Sequence, residues 1–285
     1  MILRRRRRAA IASKLWWGAS LLALFAVIAV LLSIFWFVAA RGFPALRPAI
    51  LTTVTAGTSG GLLNAIAGTF LLVISGMVMV AIVGLGTAVW MVEFASSRPR
   101  ALVRFAIDVL FGVPSIVVGY SLYVALVEGL GWGFSLVAGA LALAIIMLPY
   151  VVRNADLALS AVPRDLREAA IALGARQATA AVSVALPWAV PGILTGFLIA
   201  TGIAVGETAP LIYTAGWSNF LPSFAPTHSP VGYLTYVVWT FISLPFTASH
   251  ELAYAAAVLL MLIIFVTNLA SRTFVEYYAQ KTHRR

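Results

Sequence analysis

Six apolar stretches of this chain, near 15–40, 65–92, 102–127, 134–152, 188–214 and 251–271, approach or exceed the roughly 20 helical residues needed to cross a lipid bilayer. Hydrophobic residues make up 62% of the sequence and charged residues 10%, whereas soluble domains carry about 25% charged residues. So much apolar surface has no place in a water-soluble fold of 285 residues. In lipid every backbone N–H and C=O must be satisfied within the protein, and runs this long do so as helices. The sequence therefore predicts an all-α membrane protein with six transmembrane helices. The first stretch follows the arginine run Arg4–Arg8 and is about twice the length of a signal-peptide core, so it reads as a retained span.

Placement of charge gives the orientation. Seventeen of the nineteen Lys and Arg residues fall at the N-terminus (Arg4–Arg8, Lys14), after the second span (Arg98, Arg100, Arg104), between the fourth and fifth spans (Arg153, Arg164, Arg167, Arg176) or in the tail (Arg272, Lys281, Arg284, Arg285). Only Arg41 and Arg47 lie on the other side. Basic loops stay cytoplasmic, so both termini are expected inside. The net charge of +10 is then topogenic, and no nucleic-acid partner is implied. The chain divides into a basic arm (1–14), the first helix with an external loop (15–64), a five-helix core (65–271) containing a cytoplasmic loop (153–187), and a basic tail (272–285). The external segment 213–250 holds four prolines and no Lys or Arg. It reads as a re-entrant or interfacial excursion lining a cavity, the setting in which irregular backbone is tolerated at membrane depth.

The cytoplasmic loop carries the strongest pattern. From Pro163 to Gly174 it reads PRDLREAAIALG. Proline and Asp165 suit a first helical turn, and glycine suits a stop, which predicts a short surface helix. Glu168-Ala169-Ala170, then Gly174, then Leu186-Pro187 resembles the EAA loop of ABC-importer permeases in residues and in spacing. The resemblance implies the type I importer permease (MetI-like) fold, and a helix that docks on a separate ATPase through Arg167, Glu168, Ala169, Ala170, Gly174, Leu186 and Pro187. The only lysines, Lys14 and Lys281, follow Ser13 and Gln280, so the chain has no P-loop of its own. It is expected to be a transport subunit rather than an enzyme, with ATP and magnesium held by the partner and no cofactor bound by this chain.

Four segments sharpen the resemblance to PstA-type phosphate permeases of the bacterial cytoplasmic membrane: GGLLNAIAG from Gly60, Asp108 with VPSIVVG from Val113, LREAAIALG from Leu166, and PGILTG from Pro191 running on to GETAPL at Gly206. The resemblance implies a second, PstC-like permease, two PstB-like ATPases and a PstS-like phosphate-binding protein. It assigns a translocation pathway to Asp108, Pro114, Ser115, Gly206, Glu207, Thr208 and Pro210. Members of that group commonly carry arginine four residues before this glutamate, where Ile203 stands here. A carboxylate in a span is costly and faces a pathway or a partner. With no Lys or Arg between Arg176 and Arg272, an anion would meet backbone N–H groups, Thr195, Thr201 and Thr208, or the second permease. Gly192, Gly196, Gly202 and Gly206 make one side of this span small enough for close helix packing.

Two other readings compete. A permease for another oxyanion, such as molybdate or phosphonate, would share the coupling loop. Gly57-Thr-Ser-Gly-Gly61 formally matches a serine-nucleophile turn, and with His250 would suggest an intramembrane protease. A nucleophile needs its base within hydrogen-bonding reach, and Ser59 in a Gly/Thr-rich turn reads more simply as loop. There is no cysteine, and the three histidines are scattered, so no metal cluster is expected.

Overall fold

The computed structural model describes the backbone of residues 2–283 and the side chains of 13–270 with Arg272 and Thr273. The side chains of Arg4–Arg8, Lys281, Arg284 and Arg285 lie outside the described set. Helix α1 (Ile2–Gly42) and the short α2 (Pro48–Thr52) lead into a two-stranded hairpin, β1 (Thr55–Ala56) with β2 (Ser59–Gly60). Five further long elements follow: α3 (Leu63–Phe94), the pair α4 (Ser97–Gly112) and α5 (Ser115–Gly129), α6 (Leu136–Ser160), α8 (Gln177–Gly206) and α11 (Thr247–His283). Between them lie α7 (Arg164–Ala172), α9 (Ala209–Thr214) and α10 (Leu234–Tyr236). Among the described residues five unbroken helices are long and apolar enough to cross a membrane, and the bent α4–α5 pair makes six where it is one broken span.

That pair covers the third apolar stretch, and within it the chain bends by 99° between Gly112 and Ser115. Pro114 supplies no N–H, and proline excludes helical geometry for the residue before it, so Val113 is extended at φ −78° and ψ 122°. The fourth span also runs on past the expected end at Val152 to Ser160, through Pro149, whose site in the buried interior of α6 is walled by neighbouring helices. Helix α8 starts at Gln177 rather than near Trp188. A π-helical stretch, Ala181–Ala185, precedes Pro187 and absorbs its missing donor by a register shift.

Helix α6 is the most enclosed of the spans. Its Leu143, Met147 and Val151 pack with Leu72 and Val80 of α3, Ala200 and Ala204 of α8, and Leu211 of α9. Along α3, Gly68, Leu72, Gly76 and Val80 are buried, while Phe70, Ile74, Val78 and Ile82 are exposed. The two stripes repeat every four residues, so they mark opposite sides of one helix, one for protein and one for lipid. Gly192 and Gly196 of α8 are used for close approach to α6. A Cβ at either would lie 2.6 Å from Ala158 or Asn154 Cβ. Gly202 and Gly206 face open space instead, which corrects the expectation that all four glycines share one packed face.

Segment 213–250 folds back into the bundle. Val231, Tyr233, Leu234, Val237 and Phe241 are buried in two core clusters, and Leu234 N–H donates to Thr69 Oγ1 of α3 at 2.9 Å. At the same end, Asn64 Oδ1 accepts from Thr55 N–H at 3.0 Å while its amide donates to Ser218 O at 2.8 Å. Helix α1 is mostly exposed along its apolar length. It touches the rest through Phe37 and Arg41, which meet the ring of Tyr254 on α11.

Candidate functional site

Two helix breaks meet at one cavity. The first is Pro114 between α4 and α5. The second is Glu207 and Thr208, where α8 ends and α9 begins, with Glu207 extended at φ −69° and ψ 134°. Pro210 of α9 is buried against Gly119 of α5, a contact that leaves no room for a Cβ. Around the breaks lies a cavity of about 220 Å³ lined by Phe111, Ser115, Pro149, Tyr150, Ile203 and Glu207, among others. The half-buried Glu207 shares this cavity with Ser115, and Thr235 Oγ1 donates to the Glu207 carbonyl at 2.7 Å. Broken helices exposing backbone and a few polar groups to a cavity are the usual construction of a transporter's substrate path.

Of the residues assigned to the pathway, Ser115 and Glu207 line this cavity. Pro114, Gly206, Thr208 and Pro210 shape the two breaks. Asp108 is elsewhere: it lines an open groove with Arg100 and Arg104. Thr195 and Thr201 donate to Pro191 O and Phe197 O of their own helix, and neither lines the cavity. Ile203, about one turn before Glu207, does line it.

The second site is the α7 loop at the arginine-rich end of the bundle. The helix ends as its sequence requires. Gly174 N–H bonds Ile171 O at 2.9 Å and Ala175 N–H bonds Ala170 O at 3.1 Å, a Schellman closure with Gly174 at φ +87°. Pro163 sits just before the first turn rather than inside it. Leu166, Glu168, Ala169, Ile171 and Leu173 are exposed, Leu173 by 90%. Exposed apolar side chains on a helix outside the bundle are the kind of surface that partners cover. Arg167 is turned the other way, with Nη2 2.8 Å from Glu93 Oε1. Leu186 packs into the core beside Ala155 and Leu159, while Pro187 is exposed.

The chain matches the family described as the binding-protein-dependent transport system inner membrane component over residues 81–283. It belongs to that family. Its relatives include phosphate transport system permease protein PstA 2 of Mycobacterium bovis, 44% identical over 91% of this chain and 87% of that protein. PstA of Haemophilus influenzae is 36% identical over 88% and 91%. The inward-facing MetNI methionine ABC transporter shares the fold at 20% identity, with a TM-score of 0.58 over 76% of this chain and 94% of that one. As a binding-protein-dependent permease the chain is a multi-pass membrane transport subunit, not an enzyme. Its working partners are an ATPase and a substrate-binding protein. The protease alternative also fails on geometry: Ser59 Oγ donates to Ala56 O, and His250 Nε2 is engaged by Leu244 O.

The sequence reading missed two buried ion pairs of this permease. Asp156, 1% exposed, accepts from Arg104 Nε at 2.7 Å and Arg100 Nη2 at 3.0 Å. Glu93 receives Arg167. Arg100 and Arg104 lie four apart on α4, one face of a helix, which was the available signal. Their acidic partner is more than fifty residues away in sequence, so only the packed bundle reveals it.

Proposed function

We propose that this permease carries inorganic phosphate inward across a bacterial cytoplasmic membrane, as one half of an ATP-driven importer. The supporting observation is the 44% identity over nine-tenths of the chain to a phosphate permease. Its partners are then a PstC-like second permease, two PstB-like ATPases that hold ATP and magnesium, and a PstS-like binding protein. Both termini are cytoplasmic, α7 docks on an ATPase through Leu166, Glu168, Ala169, Ile171 and Leu173, and this chain needs no cofactor. Substrate passes the paired breaks at Pro114 and Glu207, meeting Ser115 and the backbone freed there. A carboxylate facing an anion path needs a countercharge, and Ile203 supplies none within this chain. The second permease supplies it.

The test is uptake of labelled phosphate by proteoliposomes containing the complete importer, with molybdate, phosphonate and sulfate as competitors. ATP-dependent uptake displaced only by phosphate is expected. Transport of molybdate or phosphonate in preference would replace phosphate as the substrate while keeping the importer.

A further inference from the structure

Arg167 stands beside Glu168 in the loop that meets the ATPase, yet its side chain points into the membrane domain. We propose that the Arg167–Glu93 pair is a strut that transmits movement of α7 to the spanning helices, rather than a contact with the ATPase. This rests on the importer reading. The guanidinium donates from Nε and Nη2 to Glu93 at 3.1 and 2.8 Å, from Nη1 to Val162 O at 2.7 Å, and from Nη2 to Leu159 O at 2.6 Å. Glu93 closes the C-terminal end of α3, and Leu159 lies in the last turn of α6. Gln177, the first residue of α8, donates its side-chain amide to the Glu93 carbonyl. The Arg167 fork thus ties α7 to α3 and to the end of α6, and Gln177 joins α8 to the same end of α3 through the Glu93 backbone.

The pair is shielded, with side-chain exposures of 20% for Arg167 and 6% for Glu93. A fork with all three nitrogens engaged in a shielded site is stiff, and displacing either partner leaves a largely buried charge unmatched. Apart from it, α7 is held by two short connections, Ala161 to Pro163 and Leu173 to Arg176, and by packing on the first turns of α8. Labour is divided on this helix. Leu166 and Leu173, two turns apart on one side, are exposed, and the Arg167 side chain is engaged with the bundle.

The experiment uses the complete importer in proteoliposomes, comparing wild type, R167Q, R167K, E93Q and L173D. Two readouts are needed: ATPase retained in the purified complex, and phosphate imported per ATP hydrolysed. R167Q and E93Q are expected to keep the ATPase while the phosphate-to-ATP ratio falls about tenfold. R167K should recover part of the ratio, because an ammonium keeps the charge but not the fork. L173D should lose the ATPase instead. Loss of the ATPase from R167Q with E93Q unaffected would make Arg167 a docking contact and overturn the strut. So would a ratio held within about twofold in both variants, or failure of both to accumulate in the membrane, which would assign the pair to folding. Absence of ATP-driven uptake in the wild-type complex would sink the importer reading and the strut with it, whereas wild-type uptake with unaltered variants sinks the strut alone.

Discussion

Asp156 and Glu207 are both carboxylates in the bundle, and their surroundings give them opposite work. Asp156 is matched by two arginines, so its role is to hold α4 against α6. Asp156→Asn removes the carboxylate that Arg100 and Arg104 share, a change expected to cost about 1–3 kcal/mol because both arginines stay partly exposed. Thermal unfolding of the detergent-purified complex would register it, and an unshifted midpoint would contradict a structural role. Glu207 lines a cavity together with Ser115, and no ion pair to it occurs among the described residues. Glu207→Gln changes charge but hardly shape. It should lower phosphate uptake about tenfold, or admit competing oxyanions, while leaving assembly intact. Unchanged uptake and selectivity would remove Glu207 from the pathway.

Elements of this molecule act through how they end. Helix α7 stops at Gly174 in a left-handed conformation, which costs other residues about 1–3 kcal/mol. Gly174→Val should fray the last turn, displace Leu173, and weaken ATPase retention without affecting membrane insertion, as co-purification would report. Full retention would mean that the Schellman turn does not set the docking surface. The break at Pro114 and the break at Glu207 are complementary, since each frees backbone that the other helps to enclose. At the packed end of α8, Gly196→Leu would drive a side chain into Asn154 and the Tyr150 carbonyl. It should reduce the folded complex in membranes, whereas Gly202→Leu, with open space around it, should be tolerated in this chain taken alone. Equal yields of the two would argue against α6–α8 close packing.

At the scale of the whole molecule, two ends of the bundle differ in chemistry. One gathers Glu93, Arg100, Arg104, Asp156 and Arg167 in buried pairs. The other is tied by neutral hydrogen bonds among Thr55, Asn64 and Ser218, with the exposed pair Arg47–Glu251 at 3.8 Å. The basic end is assigned to the cytoplasm by the asymmetry of its arginines. Reporter fusions at Arg98 and Gln177 should therefore signal cytoplasm, and fusions near Arg47 and Pro226 the outside. A cytoplasmic signal at Pro226 would break this arrangement. The pair α4–α5 bends by 99°, so a fusion at Gly131, just beyond it, should also report the outside. A cytoplasmic signal there would make the pair a re-entrant loop instead of a crossing.

Sequence alone determined the solvent, the apolar runs long enough to span it, the short loop helix with its glycine stop, and the family. Each is written in local terms: run length, charge placement, or residues at fixed spacing. Only the tertiary structure decided which faces pack, where the third span breaks in space, and which charges meet. In lipid both sides of a helix are apolar, so Ile74 facing outward and Leu72 facing inward look alike in the chain, and hydrophobic periodicity is silent. Ion pairs across helices leave a similar gap. Glu93 and Arg167 lie 74 positions apart, and nothing local to either announces the other. Arg167 was legible as part of the coupling loop, but its direction was not. A helix has two sides, and the bundle against which it folds selects the one that carries the buried fork.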